Sequence, residues 1–127
     1  MLFFVCSCFC EKDGRHTKTQ MIRVAQDFDP AVKFKLGKSI TDVIPCIDYG
    51  SSCISVHRML VRKVTMVAVE FKTENDARLV AKRLNQYYWK NWVFDDVMGE
   101  PVLEDFIVKA YNVKKPVDDS KKDTKNQ

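Results

Sequence analysis

Residues 64–85, VTMVAVEFKTENDARLVAKRLN, change from one hydrophobic pattern to another at a single threonine. The first part, VTMVAVEF, is apolar and rich in β-branched residues, which is typical of a buried strand. Thr73 and the following END tripeptide carry acceptor and acidic groups that stabilise the free amides at a helix start. The next apolar residues lie on one helical face: Ala77, Val80, Ala81, Leu84 and Tyr88. The segment therefore predicts a strand followed by a helix.

The residues before this segment predict a second strand that pairs with the first. CISVHRMLVRK, residues 53–63, is strand-like and runs directly into residue 64. A hairpin with a tight turn at Arg62-Lys63 is favoured over one bent strand, because the combined length exceeds that of an ordinary strand. AVKFKLGK, residues 31–38, alternates apolar residues with lysines and predicts a further half-buried strand.

Helical patterns stand at both ends of the predicted sheet region. Residues 17–28 have apolar side chains at helical spacing, although a strand through Ile22 and Val24 is the alternative, and Asp29-Pro30 ends either structure. Pro101 suits the first position of a second helix, over residues 101–111. WVFDDV, residues 92–97, predicts a short strand or loop between the helices.

These patterns predict an α+β domain over residues 21–112. We expect three or four mostly antiparallel strands with two or three helices on one face, and ferredoxin-like is the loosest form of this expectation. Residues 1–20 are interpreted as an N-terminal extension, apolar and then polar. Residues 113–127, VKKPVDDSKKDTKNQ, are interpreted as a disordered polar tail, because they have too few apolar side chains to form a core.

The apolar start of the chain, MLFFVCSCFC, does not have the features of a targeting signal. It has no positive charge before its apolar run and no small-residue cleavage site after it. A bilayer span takes about 20 apolar residues. We therefore predict no signal peptide and no transmembrane segment.

The five cysteines favour free thiols in a reducing, intracellular compartment, most simply the cytoplasm, since no secretory signal accompanies them. Cys46 and Cys53 do not have the CxxC spacing with which zinc sites usually hold the metal. No other metal, cofactor or phosphate motif is recognisable. The sequence therefore predicts neither a metal site nor a cofactor.

Two adjacent stretches, VAVEF (67–71) and ENDARLVAKRLN (74–85), resemble the third strand and second helix of an RNA-recognition motif. The resemblance implies a sheet on whose strand aromatics RNA bases stack. Ala68 and Met66 occupy the other two aromatic positions of that strand, and residues 21–112 are almost neutral, with thirteen basic and twelve acidic side chains. An RNA-binding module of this architecture is the alternative function. Its candidate contacts are Arg58, Arg62, Lys63, Arg78 and Lys82.

YYWKNWVF, residues 87–94, concentrates aromatic side chains in one short stretch. Trp and Tyr are typical anchors of protein interfaces, although aromatic residues can also close a small core or stack on nucleic acid. We predict a non-catalytic protein–protein interaction domain, an adaptor or accessory subunit with a protein partner and weak or no nucleic-acid binding. Its candidate contacts, one of them from the acidic last helix, are Tyr87, Trp89, Trp92, Phe94 and Glu104.

No catalytic residue is assigned, and the chain is more simply a binding protein than an enzyme. Cys53, Ser55 and His57 alternate onto one face of a strand, but strand rise separates the Cβ atoms of Cys53 and His57 by about 13 Å, too far for a hydrogen bond. A thiol-dependent enzyme that uses Cys53 or Cys46 is the second alternative.

Overall fold

A computed structural model describes residues 15–35 and 44–113. In these residues there are three α-helices, one 3₁₀ helix and a five-stranded sheet, with strand order β1-β2-β3-β5-β4. The elements are α1 Lys18–Phe28, β1 Lys33–Lys35, the 3₁₀ helix Cys46–Tyr49, β2 Cys53–Val61, β3 Val64–Phe71, α2 Glu74–Leu84, β4 Tyr87–Trp89, β5 Trp92–Asp95 and α3 Pro101–Tyr111. Every neighbouring strand pair is antiparallel. The predicted α+β class is confirmed, and the ferredoxin-like arrangement stays a guess.

The helix starts follow the predicted capping chemistry. The Thr73 side chain accepts a hydrogen bond from the Asp76 amide at 3.1 Å and begins α2. Thr17 and Gln20 form a reciprocal capping box at the start of α1. Helix α1 therefore begins at Lys18, before the predicted domain start at residue 21.

Helix α2 ends earlier than its apolar stripe predicts. Asn85 adopts a left-handed conformation, φ 59°, which Asn tolerates better than most residues and which ends the helix. Tyr88 consequently lies on strand β4 and not on the helix. The segment from Tyr87 to Asp95 forms the β4–β5 hairpin, so the described sheet has five strands and not the predicted three or four.

The helices cover both faces of the sheet, whereas the sequence predicted one covered face. Met66 and Ala68 of β3 pack in a cluster with residues of α1 and α3. Val67 and Val69, which alternate with them, pack in a second cluster with Ala77 and other residues on the side of α2. The physical reason is that β3 is apolar at consecutive positions, so both of its faces must be covered.

The hairpin predicted between β2 and β3 is confirmed. Val61 pairs with Val64, and the two residues between them, Arg62 and Lys63, have φ angles of 49° and 72°. Positive φ at both positions is the requirement of the two-residue turn that matches the twist of an antiparallel pair.

Residues 1–14 of the predicted N-terminal extension (1–20) and residues 114–127 of the predicted tail (113–127) lie outside the described residues. Within the described part of the chain, no helix is long and apolar enough to cross a membrane.

Candidate interaction surface

The aromatic stretch predicted to bind a partner lies mostly in the protein interior. The side chains of Tyr87, Trp92 and Phe94 are buried in the core between the sheet and helices α1 and α3. Trp89 is half-buried, and its ring lies 5.1 Å from that of Tyr111. Three of these four side chains therefore cannot contact a partner while the domain keeps this fold.

Trp92 and Asn91 also attach the chain before α1 to the sheet. The Trp92 indole Nε1 donates a hydrogen bond to the His16 carbonyl oxygen at 2.8 Å, and the His16 amide donates to Asn91 Oδ1 at 2.6 Å. The Asn91 Nδ2 donates to the Phe71 carbonyl oxygen at 3.0 Å. Asn91 is only 1% exposed. Its side-chain amide links the turn between β4 and β5 to the backbone of His16 and of Phe71.

Glu104, the fifth predicted contact, bonds to the β4 strand and to the turn before α3. One carboxylate oxygen accepts from the Tyr87 hydroxyl at 2.7 Å, and the other accepts from the Gly99 amide at 2.8 Å. Burial, followed by the hydrogen bond and charge of Glu104, raises the pKa of Tyr87 to about 12. Glu104 is thus engaged within the domain, although its side chain is only half-buried.

The basic residues predicted to contact nucleic acid lie on three different elements. Arg58 is on β2, Arg62 and Lys63 are in the β2–β3 turn, and Arg78 and Lys82 are on α2. Strand β3 separates the turn from the start of α2 by about 26 Å, given the strand rise of roughly 3.3 Å per residue. Arg62 also forms an ion pair with Asp29 at 3.8 Å. The five residues therefore do not converge on one site.

The strand that resembles the RNA-recognition motif does not present an open face. Met66, Ala68 and Phe71, which stand at the three aromatic positions of the resemblance, are all completely buried. Base stacking in that family needs strand aromatics that RNA can reach. RNA binding stays a prediction, and in this fold it would have to use another surface.

Cys46 and Cys53 form a disulfide bond, with their Cα atoms 5.6 Å apart. The prediction of free thiols is therefore wrong for these two residues, and the predicted reducing compartment loses the support that free thiols gave it. Neither sulfur is available as a thiolate nucleophile in this structure, which removes the basis for the thiol-dependent enzyme.

A β-bulge beside the disulfide corrects a second prediction. The register between β2 and β3 shifts between Cys53, which pairs with Phe71, and Ser55, which pairs with Glu70. Cys53 packs in the cluster on the α2 side, while the Ser55 side chain contacts those of Glu70 and His57. An extra residue in one strand reverses the faces of those beyond it, so Cys53 and His57 do not share a face as predicted.

Ser55, His57 and Glu70 form a connected polar group on half-buried positions. The Ser55 hydroxyl donates to Glu70 Oε1 at 2.8 Å, and His57 Nε2 lies 3.0 Å from the same hydroxyl. The donor and acceptor roles of the His57 ring nitrogen depend on its tautomer. Burial, and to a smaller extent the charge of Lys18, lowers the pKa of His57. The group thus links β2 to β3 through side-chain hydrogen bonds.

Exposed apolar side chains lie in the disulfide loop, at the β-bulge and on α2. Ile47, in the 3₁₀ helix, is 82% exposed, and Ile54, at the bulge, is 43% exposed. They directly follow Cys46 and Cys53 in the chain. Leu79 of α2 is 50% exposed.

Helix α2 is joined to this loop by Arg83. Its Nη2 donates to the Tyr49 carbonyl oxygen at 3.4 Å, and Leu79 lies one helical turn before it. The Tyr49 side chain is buried and its hydroxyl donates to Asp95 Oδ2 at 2.7 Å. We call the surface formed by Ile47, Leu79 and Arg83 the loop–helix surface. The exposure of Ile47 was not predicted from sequence, because the pattern of residues 46–54 carries no signal of it.

Among residues 15–35 and 44–113, no group of three or more His, Cys, Asp or Glu side chains is arranged to hold a metal ion. The chain matches no protein-family model, no curated protein and no solved structure.

Proposed function

We propose that this chain is a non-catalytic protein–protein interaction domain, an adaptor or accessory subunit, and that its partner binds the loop–helix surface. The observation that carries this proposal is the 82% exposure of Ile47 on a loop that is closed by a disulfide. A large apolar side chain that is held out toward water without packing costs hydration free energy. Such a cost is recovered when a partner covers the side chain.

The surroundings of Ile47 support a partner-binding role. Isolated exposed apolar side chains are ordinary, but groups of them mark interaction sites. Of the five large apolar side chains that are clearly exposed in the described residues, Ile47 and Leu79 belong to this surface; the other three, Phe28, Ile54 and Val108, are on α1, β2 and α3. The Cys46–Cys53 disulfide and the Tyr49–Asp95 hydrogen bond hold the loop in one conformation, which lowers the entropic cost of binding.

The proposed contact residues differ from those predicted from the aromatic stretch. Of that set, only Trp89 and Glu104 keep part of their surface accessible. Tyr87, Trp92 and Phe94 are buried with α1 and α3, on the other face of the sheet from α2.

The test begins with a photo-crosslinking amino acid at position 47 and, as a control, at position 108 in cells that make this chain. A partner identified from position 47 is purified and its affinity is measured for the wild type, Ile47→Ser and Val108→Ser. Val108 is a matched control because it is also an exposed apolar residue, but on α3. We expect Ile47→Ser to weaken the complex by about 1 to 2 kcal/mol, with no change for Val108→Ser. Equal effects, or crosslinks from position 108 alone, would show that the loop–helix surface is not the interface.

A further inference from the structure

We infer that the loop–helix surface binds an acidic protein segment with apolar side chains, whose carboxylates lie against α2. This inference rests on the proposed function and adds the chemical class of the partner. It follows from the charge beside the apolar side chains, and from the absence of ion pairs to that charge among the described residues.

Exposed basic side chains surround Leu79 on α2. Arg78 precedes it, Lys82 follows one turn later, and Arg83 extends toward the loop. Among the described residues, the side-chain hydrogen bonds of these cations run from Arg78 to Asn75 Oδ1, 2.6 Å, and from Arg83 to the Tyr49 carbonyl. None of the three forms an ion pair with a described residue. Three positive charges with no ion pair to the described part of the chain, beside exposed apolar groups, favour a ligand that supplies both carboxylates and apolar side chains.

The acidic side chains in the first turn of α2, Glu74 and Asp76, form no ion pair with these cations in the described residues. Asp76 is directed to the helix start, where its Oδ2 accepts from the Thr73 hydroxyl at 2.8 Å. Its position there also stabilises the helix N-terminus. The basic character of this face of α2 is therefore available to a partner.

The opposite side of the surface argues against a uniformly negative partner. Asp48 is exposed directly after Ile47, and Asp95 bonds to the neighbouring Tyr49. Asp96 follows Asp95 and is also exposed. A nucleic-acid backbone or an anionic bilayer carries negative charge throughout and would be repelled by these carboxylates. A protein segment can place acidic residues against α2 and neutral or basic residues against Asp48.

The Arg residues also fit this partner better than lysines alone would. Arg forms paired, directional hydrogen bonds with carboxylates and is enriched at the energetic centres of protein interfaces. Arg83 is already oriented by its bond to the Tyr49 carbonyl, so less side-chain entropy is lost when a carboxylate binds.

The inference is tested with two synthetic amphipathic peptides of equal length, one of Leu and Glu and one of Leu and Lys. The full chain is titrated with each, and amide chemical shifts locate the binding site. We expect saturable binding of the Glu peptide only, with shifts in residues 46–54 and along α2, and an affinity that falls as salt rises. Equal or stronger binding of the Lys peptide, or no saturable binding of the Glu peptide, would overturn the inference.

Charge reversal identifies the residues that are responsible. Lys82→Glu is expected to lower the affinity for the Glu peptide by about fivefold or more. Lys109→Glu on α3 is the control and is expected to change the affinity less than about twofold, since α3 packs on the other face of the sheet from α2. Equal loss in the two variants would contradict the inference.

Two further arms separate this inference from its alternatives. Phosphatidylserine-containing vesicles and single-stranded poly-U are tested with the same variants. The inference would be overturned if the protein binds the vesicles or the RNA more tightly than the Glu peptide and if this binding depends on Lys82. If a natural partner depends on Ile47 but not on Lys82, the partner class is wrong while the proposed function stands. If it depends on both, the inference is supported.

Discussion

The Asn91 side chain offers the sharpest test of how the domain is held together. Its amide is 1% exposed and makes two hydrogen bonds, as donor to the Phe71 carbonyl and as acceptor from the His16 amide. Asn91→Ala removes both. A buried polar group without a partner costs about 1 to 3 kcal/mol. Since His16 is partly exposed and water can replace one bond there, we expect a total loss of about 2 to 4 kcal/mol.

Urea unfolding, followed by tryptophan fluorescence and by circular dichroism, measures this loss through linear extrapolation. The thermal midpoint should fall by at least about 8 °C for a domain of this size. Asn75→Ala is the matched control, because Asn75 is exposed on α2 and its side chain bonds only to Arg78; we expect a change within about 0.5 kcal/mol. If Asn91→Ala costs no more than Asn75→Ala, the Asn91 bridge does not stabilise the fold and the reasoning is refuted.

Three more predictions concern Trp92, the Cys46–Cys53 disulfide and His57. Trp92→Phe should cost about 1 to 3 kcal/mol, because it removes the hydrogen bond to the His16 carbonyl and leaves a small cavity; an unchanged urea midpoint would contradict this. Replacing Cys46 and Cys53 by serine together should cost about 2 kcal/mol, given the short loop that the disulfide closes, and a reductant should reproduce the loss in the wild type but not in the double variant. Because the pKa of His57 is lowered below its ordinary 6.5, the unfolded chain binds more protons just below pH 6.5, so stability that is complete above this pH should decline as the pH falls through it. His57→Gln should flatten this acid-side decline in urea titrations, and an identical decline in both proteins would show that other groups cause it.

The strongest local signals in the sequence predicted the corresponding elements. Thr73 and the residues after it predicted the start of α2, Pro101 predicted the start of α3, and the apolar run on each side of Arg62-Lys63 predicted the β2–β3 hairpin. In each case the signal and the structure depend on the same few residues. Such signals are local, so they do not require knowledge of how distant segments pack.

The errors arose where local patterns had two solutions. Tyr88 continues the helical stripe of α2, but Asn85 accepts a left-handed conformation and starts a hairpin instead. A strand that is covered on both faces has apolar residues at consecutive positions, and β3 is such a strand. The sequence analysis predicted helices on only one face of the sheet.

Two other features depend on distances that no local pattern contains. The Cys46–Cys53 disulfide requires the 3₁₀ helix to meet the bulge of β2. The exposure of Ile47 depends on how that loop sits against α2, and an isoleucine in sequence is expected to be buried. The candidate surface could therefore be found only once the tertiary packing was known.

The central claim is that the partner covers the loop–helix surface, and hydrogen exchange of the complex tests it most directly. The partner identified from position 47 is bound to the full chain, and amide exchange is compared between the free and bound forms at the peptide level. We predict slower exchange in residues 46–54 and in α2, with no change in α3. Protection confined to α1 and α3, with residues 46–54 unchanged, would contradict the claim.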